Sequence, residues 1–105
     1  MKPVTQNFTR VIGDNYPLYI KLGDEYNIGI NILGSTITLK IQQDNNITSI
    51  FGDIISPETG EAEIPIESGV FTSTGIFKYE IEFVSQYNIK YTIANGTFDI
   101  ISDLG

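Results

Sequence analysis

Glu61 and Glu63, and Glu80 and Glu82, are carboxylate pairs set two residues apart in this sequence. Paired carboxylates are what glycoside hydrolysis requires, provided both face one cleft about 5–10 Å apart. Each pair here stands at i, i+2, the spacing that places two side chains on the same face of a strand. They therefore read as solvated strand faces. Serine and threonine are plentiful, but with no histidine and no cysteine there is no imidazole to activate them and no thiolate. No Gly-x-Ser-x-Gly elbow and no phosphate-cradling glycine loop before a helix occurs. Asp14-Asn15, Asp24-Glu25 and Asp44-Asn45-Asn46 are rich in oxygen ligands, yet none matches the calcium-loop pattern, so each reads as a turn. Asn7-Phe8-Thr9, Asn46-Ile47-Thr48 and Asn95-Gly96-Thr97 are sequons by pattern, which an Asn- and Thr-rich chain produces by chance. The expectation is a non-enzyme with no catalytic residue, cofactor or metal.

The composition excludes further classes. The chain has 105 residues, which suits one domain spanning residues 1–105. Folding at this size buries roughly two-thirds of the unfolded surface, enough for a core without disulfides. A net charge of −7, with six basic residues against thirteen acidic ones, argues against nucleic acid and against anionic membrane surfaces. The start, Met1-Lys2-Pro3-Val4, lacks an apolar signal core, and no stretch approaches the ~20 apolar residues of a membrane span. The sequence reads as a protein made in the cytoplasm.

The elements follow from alternation and turn chemistry. Thr5 to Ile12 reads as a lead-in strand anchored by Val4 and Phe8. After a turn at Gly13-Asp14-Asn15, Tyr16 to Leu22 alternates, with Leu18, Ile20 and Leu22 on one face and Tyr19 and Lys21 on the other. Pro17 must then sit at an edge or at the strand's start. Beyond a turn at Gly23-Asp24-Glu25, Tyr26 to Leu33 puts Ile28, Ile30 and Ile32 on one face of a short strand or ordered arm. Thr36 to Gln42 points Ile37, Leu39 and Ile41 inward, and Ile47 to Ile55 is a strand with a bulge or close approach at Gly52. Ser56 to Gly60 is a proline turn. Glu61 to Ile66 turns Ala62, Ile64 and Ile66 inward and Glu61 and Glu63 to water, and Glu67 to Thr74 is a loop with room for one helical turn. From Gly75, Phe77, Tyr79, Ile81 and Phe83 face in and Lys78, Glu80 and Glu82 face out. After Gln86-Tyr87-Asn88, the last strand runs to Ile101. Its inward set changes parity from Tyr91 and Ile93 to Phe98 and Ile100, which predicts a β-bulge at Asn95-Gly96. This is an all-β, antiparallel sandwich of about seven to eight strands. Residues 1–7 and 102–105 are expected to be loosely ordered.

The order of these segments resembles a phage module. Gly13-Asp14-Asn15-Tyr16-Pro17-Leu18-Tyr19-Ile20 resembles the "G-D-x-x-P-L-x-h" opening of the N-terminal domain of phage baseplate upper proteins. Leu33 to Ile41 resembles that family's "L-T-G-A-T-V-x-F-x-h" strand, Asp53 to Ile64 its "D-x-x-x-G-x-h-x-h" hairpin, and Gly75 to Phe83 its "G-x-Y-x-h-x-h" strand, before a close at Gly96-Thr97-Phe98-Asp99-Ile100. The resemblance spans residues 10–101. It implies an Ig-like fold that anchors receptor-binding or fibre proteins to a virion, and it transfers no catalytic residue. Baseplate upper proteins continue into further parts beyond this domain. The expectation here is a stand-alone virion component such as a capsid decoration, head-fibre base or baseplate accessory.

The expected partners are other virion proteins, with a homo-oligomer and a surface glycan as alternatives. A carbohydrate-binding module is the competing reading, weakened by the absence of tryptophan. Tyrosines at turns or on outer strand faces favour protein or sugar contacts. The expected contact residues are Tyr16, Pro17, Tyr19, Tyr26, Ile28, Ile30 and Ile32, with strand edges offering main-chain pairing.

Overall fold

The alternating isoleucine segments fold as strands. The protein, here a computed structural model that describes residues 3–24, 26 and 28–102, forms β1 (Val4–Thr5), β2 (Phe8–Val11), β3 (Leu18–Lys21), β4 (Thr36–Gln43), β5 (Asn46–Phe51), β6 (Asp53–Ser56), β7 (Glu61–Ile64), β8 (Gly75–Val84) and β9 (Lys90–Ile101). Among the described residues the only helical element is a 3-10 turn, Pro57–Thr59, so no helix there is long and apolar enough to cross a membrane.

Two sheets pack as a sandwich. The larger runs β1-β9-β8-β4-β5, with β2 also on β9, and the smaller runs β3-β7-β6. This places β3, β7 and β6 where the immunoglobulin fold has B, E and D, and β5, β4, β8 and β9 where it has C′, C, F and G. The inner faces bury Ile37, Leu39, Ile41, Ala62, Ile64, Tyr79, Ile81, Phe98 and Ile100, as the alternation requires. Phe8, Tyr79, Phe98 and Phe71 stack through ring centroids 4.9–5.7 Å apart, within the range aromatic pairs favour.

Several expectations are corrected. The lead-in strand is two strands, and both lie parallel to β9 (Val4 opposite Ala94, Phe8 opposite Phe98), so the sandwich is not wholly antiparallel. Residues 4–7 are tied down. Gln6 N–H donates to Asn95 O at 2.9 Å, the Tyr79 hydroxyl donates to Gln6 O at 2.6 Å, and Thr97 N–H donates to Asn7 Oδ1 at 3.1 Å. Val4, named as an anchor, is exposed, whereas Phe8 packs on the core. The Ile47–Ile55 run is also two strands. Gly52 carries the chain from the larger sheet to the smaller, its N–H bonded to Ile37 O at 2.7 Å, and an added Cβ would sit 3.3 Å from that oxygen. Among the described residues these two splits give nine strands instead of seven or eight.

The parity change in β9 is real but lies two residues early. Ile81 opposes Ala94 and Glu82 opposes Thr92, so Ile93 is the extra residue. Gly96 serves another purpose. A Cβ there would lie 2.0 Å from Gln6 O, so only glycine lets the β1–β2 link approach. The Glu67–Thr74 loop contains a turn closed by Val70 N–H to Glu67 O, not a helical turn, and it buries Phe71. The proline turn forms as expected, ending on Gly60 at φ 76°, where a side chain would collide with Leu22 O and Ile30 O.

Candidate functional site

β3 is an edge of the smaller sheet, and it positions the first group of expected contact residues. Pro17 precedes the strand, where a missing N–H costs no ladder bond. Tyr16 is half exposed, its ring lying over the guanidinium of Arg10, 4.1 Å from centroid to Cζ. Tyr19 points outward, opposite Glu63, and its hydroxyl donates to the Glu61 carboxylate, which also accepts from the Thr59 hydroxyl. Those bonds, from Thr59 first and Tyr19 second, hold the Glu61 carboxyl below the ordinary glutamate range. The same bond to Glu61 raises the Tyr19 phenol.

Beside Tyr19 the two sheets part. A groove of about 380 Å³ opens between β3 and the β1–β9 edge, lined by Val4, Phe8, Leu18, Ile20, Tyr79 and Ile93 among others. Its lining is mainly apolar, with Gln6 and Lys21 among the polar members. The sequence reading missed this groove, because β1 was not expected to pair and the neighbouring strands are distant in sequence.

The second group lies beyond the end of β3. Among its described residues, which leave out Asn27, the Tyr26–Leu33 segment is not a strand. Asp24 Oδ1 accepts from Tyr26 N–H and Ile28 N–H, an Asx-type turn, and Gly23 bridges Gly29. Ile30 N–H donates to Leu22 O at 3.0 Å and Ile32 N–H to Pro57 O at 2.8 Å, so the arm is fastened to the body. Its isoleucines do not share one environment: Ile28 is 64% exposed, Ile30 is half-buried and Ile32 is 0% exposed. Ile32 is thus a core residue and is withdrawn as a contact residue. Glu25, part of one expected turn, lies outside the described residues, as do 1, 2 and 103–105 of the expected loose ends.

The carboxylate pairs stand on the outer faces of opposite sheets, Glu61 and Glu63 on the smaller and Glu80 and Glu82 on the larger. Glu82 was expected in water but is 8% exposed. Lys40 reaches it at 2.9 Å and Lys90 at 3.1 Å. The bond from Lys40, the larger influence, holds its carboxyl below the ordinary value against the opposing effect of burial. Glu61 and Glu63 are half-buried by their neighbours on β3. Among the described residues no group of three or more acidic side chains is placed to hold a metal ion.

No protein-family model matches this sequence, and no curated protein is significantly similar to it. Among solved structures, it is similar to a candidate glycoside hydrolase from Bacteroides vulgatus, with 14% identity and a TM-score of 0.55. The match covers 93% of this chain but 17% of that one, so this chain spans a small part of the larger protein's length. At that identity the likeness is one of fold, the β-sandwich.

Proposed function

We propose that this chain is a protein-binding β-sandwich, a structural or accessory component of a phage particle that docks other virion proteins along its β3 side. The observation that carries the reading is the apolar groove beside β3, which Tyr19 lines, with the exposed Tyr16, Tyr26 and Ile28 in the segments that precede and follow β3. Tyrosine brings a large rigid surface with one polar end, which suits protein contacts. The segments that resemble the baseplate-domain strands coincide with β4, β6–β7 and β8, which supports the phage assignment. Binding and not catalysis is proposed, because the carboxylates stand on outer strand faces, Glu82 is engaged by two lysines, and histidine and cysteine are absent from the sequence.

Mass spectrometry of purified particles should find the chain in stoichiometric amount. Its Tyr19→Ala, Tyr26→Ala double variant should fold normally yet be depleted from particles at least tenfold. Absence of the wild-type protein from particles would defeat the assignment. A carbohydrate-binding module is the second reading, favoured by the sandwich shared with part of a candidate glycoside hydrolase. Silence on a glycan array would remove it.

A further inference from the structure

The opposite side of the sandwich ends on β5. Among the described residues β5 pairs only with β4, through six residue pairs in unbroken register from Thr38–Phe51 to Gln43–Asn46. Its other side is open. Proteins normally guard such an edge with charge, proline, a bulge or shortness. The other edges here are guarded: β3 follows Pro17 and carries Lys21, β6 has a bulge at Ile55 and runs into Pro57, and the β1–β2 edge is broken at Gln6-Asn7. β5, Asn46-Ile47-Thr48-Ser49-Ile50-Phe51, has no charge, proline or bulge, and it leaves Ile47 61% and Phe51 72% exposed.

We propose that β5 pairs antiparallel with β5 of a second copy, about a two-fold axis at Ser49, joining the two larger sheets into one. The backbone phase allows it. Gly52 N–H points to β4, bonding Ile37 O. Alternation along the strand then directs the N–H and C=O groups of Ile47, Ser49 and Phe51 to the open side. The side chains allow it too. Ile50 opposes Leu39 on the inner face, so Ile47, Ser49 and Phe51 share the outer face. Centring on Ser49 places Ile47 against the second copy's Phe51, and Phe51 against its Ile47. Both pairs are apolar cross-strand neighbours joined by main-chain hydrogen bonds. Shifting the register by two residues either way loses both pairs, setting Ser49 opposite Ile47 or Phe51.

Charge bears on where a second copy can meet this chain, not on whether it does. Two chains of net charge −7 repel each other, and β5 brings no charge of its own to the contact. Ile47 also borders an outer-face groove of about 480 Å³ that contains Lys40, Gln42 and Lys78, so the second Phe51 would stand at its rim. A contact centred on one six-residue strand is small beside the roughly 1,200–2,000 Å² of a stable complex, so the dimer should be weak and concentration-dependent. It uses a different edge from the β3 side, so the two proposals stand or fall separately.

Sedimentation equilibrium from about 10 μM to 1 mM tests the inference. The apparent mass should climb from 11.7 kDa toward twice that value. Ser49→Lys, its fold checked by circular dichroism, should remain monomeric. Because the chain has no cysteine, Ser49→Cys gives a clean cross-link across the axis. Directly hydrogen-bonded partners lie about 5.5 Å apart at Cα, inside the disulfide range. Under oxidation Ser49→Cys should cross-link at least fivefold faster than Ser73→Cys on the exposed Glu67–Thr74 loop. A monomer throughout the range, equal cross-linking by the two cysteine variants, or a dimer that persists in Ser49→Lys would each overturn the pairing.

Discussion

The Arg10 guanidinium lies 4.1 Å from the centre of the Tyr16 ring and donates a 2.8 Å hydrogen bond to the Tyr16 carbonyl. Arg10 is 6% exposed and points inward from β2, in register with Ile100. Burial lowers its pKa, and Tyr16 and then Asp14 oppose that shift. Arginine stays ionised regardless, so the ring and the carbonyl replace part of its lost hydration. The contact clamps the turn before β3 onto β2 and sets the pose of Tyr16. A double-mutant cycle of Arg10→Met and Tyr16→Leu, read by urea unfolding, should give a coupling energy of about 1–2 kcal/mol. Zero coupling would mean that the ring and the guanidinium do not interact.

Alternation revealed the fold because most of the core sits on regular strands. Ile37, Leu39, Ile41, Ala62, Ile64 and Ile81 face inward as period two requires. Legibility failed where another force prevailed over the period. Arg10 occupies an inward parity position between Phe8 and Ile12, and a charged residue there was the one available signal of a buried ion. Glu82 kept its outward parity, but two lysines from neighbouring strands pair with it, a contact no local window contains. The groove beside β3 needed the parallel pairing of β1 with β9, a contact about ninety residues apart in sequence. Tyr16, Pro17 and Tyr19 were legible as surface residues because a turn and a strand parity both exposed them.

Glu82 should give the protein an acid-sensitive component of stability. Its carboxyl titrates below the ordinary glutamate value in the folded state, chiefly through Lys40 and also through Lys90. A depressed folded-state pKa means that the unfolded chain takes up the proton first. The stabilisation is therefore complete well above about pH 4.3 and is lost as pH falls through the depressed value. Melting temperature measured from pH 7 to pH 3 should drop steeply at the acid end, and Glu82→Gln should remove part of that drop. At pH 7 the variant should cost about 1–2 kcal/mol, less than a fully buried pair, because both ammonium groups reach water. An unchanged pH profile in the variant would count against this role.

Gly96→Ala should be severe for a surface-proximal position. Gly96 has φ 153°, and a Cβ would meet Gln6 O at 2.0 Å and Asn7 Oδ1 at 2.9 Å. The collision is with backbone, so one side of the β1–β9 contact has to move. Loss of that strand pairing and of the Tyr79 bond to Gln6 should cost about 2–4 kcal/mol in denaturant unfolding. Amide exchange should quicken at Gln6 before the β4–β8 core responds. A cost under about 0.5 kcal/mol would show that the approach is loose.

Ile28 and Ile32 separate stability from binding on one short segment. They share sequence parity, yet Ile28 is 64% exposed and Ile32 is fully buried, because the arm descends from the Asp24 turn to the Pro57 carbonyl. Ile32→Ala removes three buried carbons from a packed core and should lower the unfolding free energy by about 2–5 kcal/mol without changing the denaturant slope. Ile28→Ala removes the same atoms from water and should stay within about 0.5 kcal/mol of wild type. If the β3 side docks virion proteins, Ile28→Ala should nonetheless weaken incorporation into particles severalfold. A stable Ile32→Ala would deny the arm its place in the core, and an Ile28→Ala variant incorporated as well as wild type would remove the arm from the docking face.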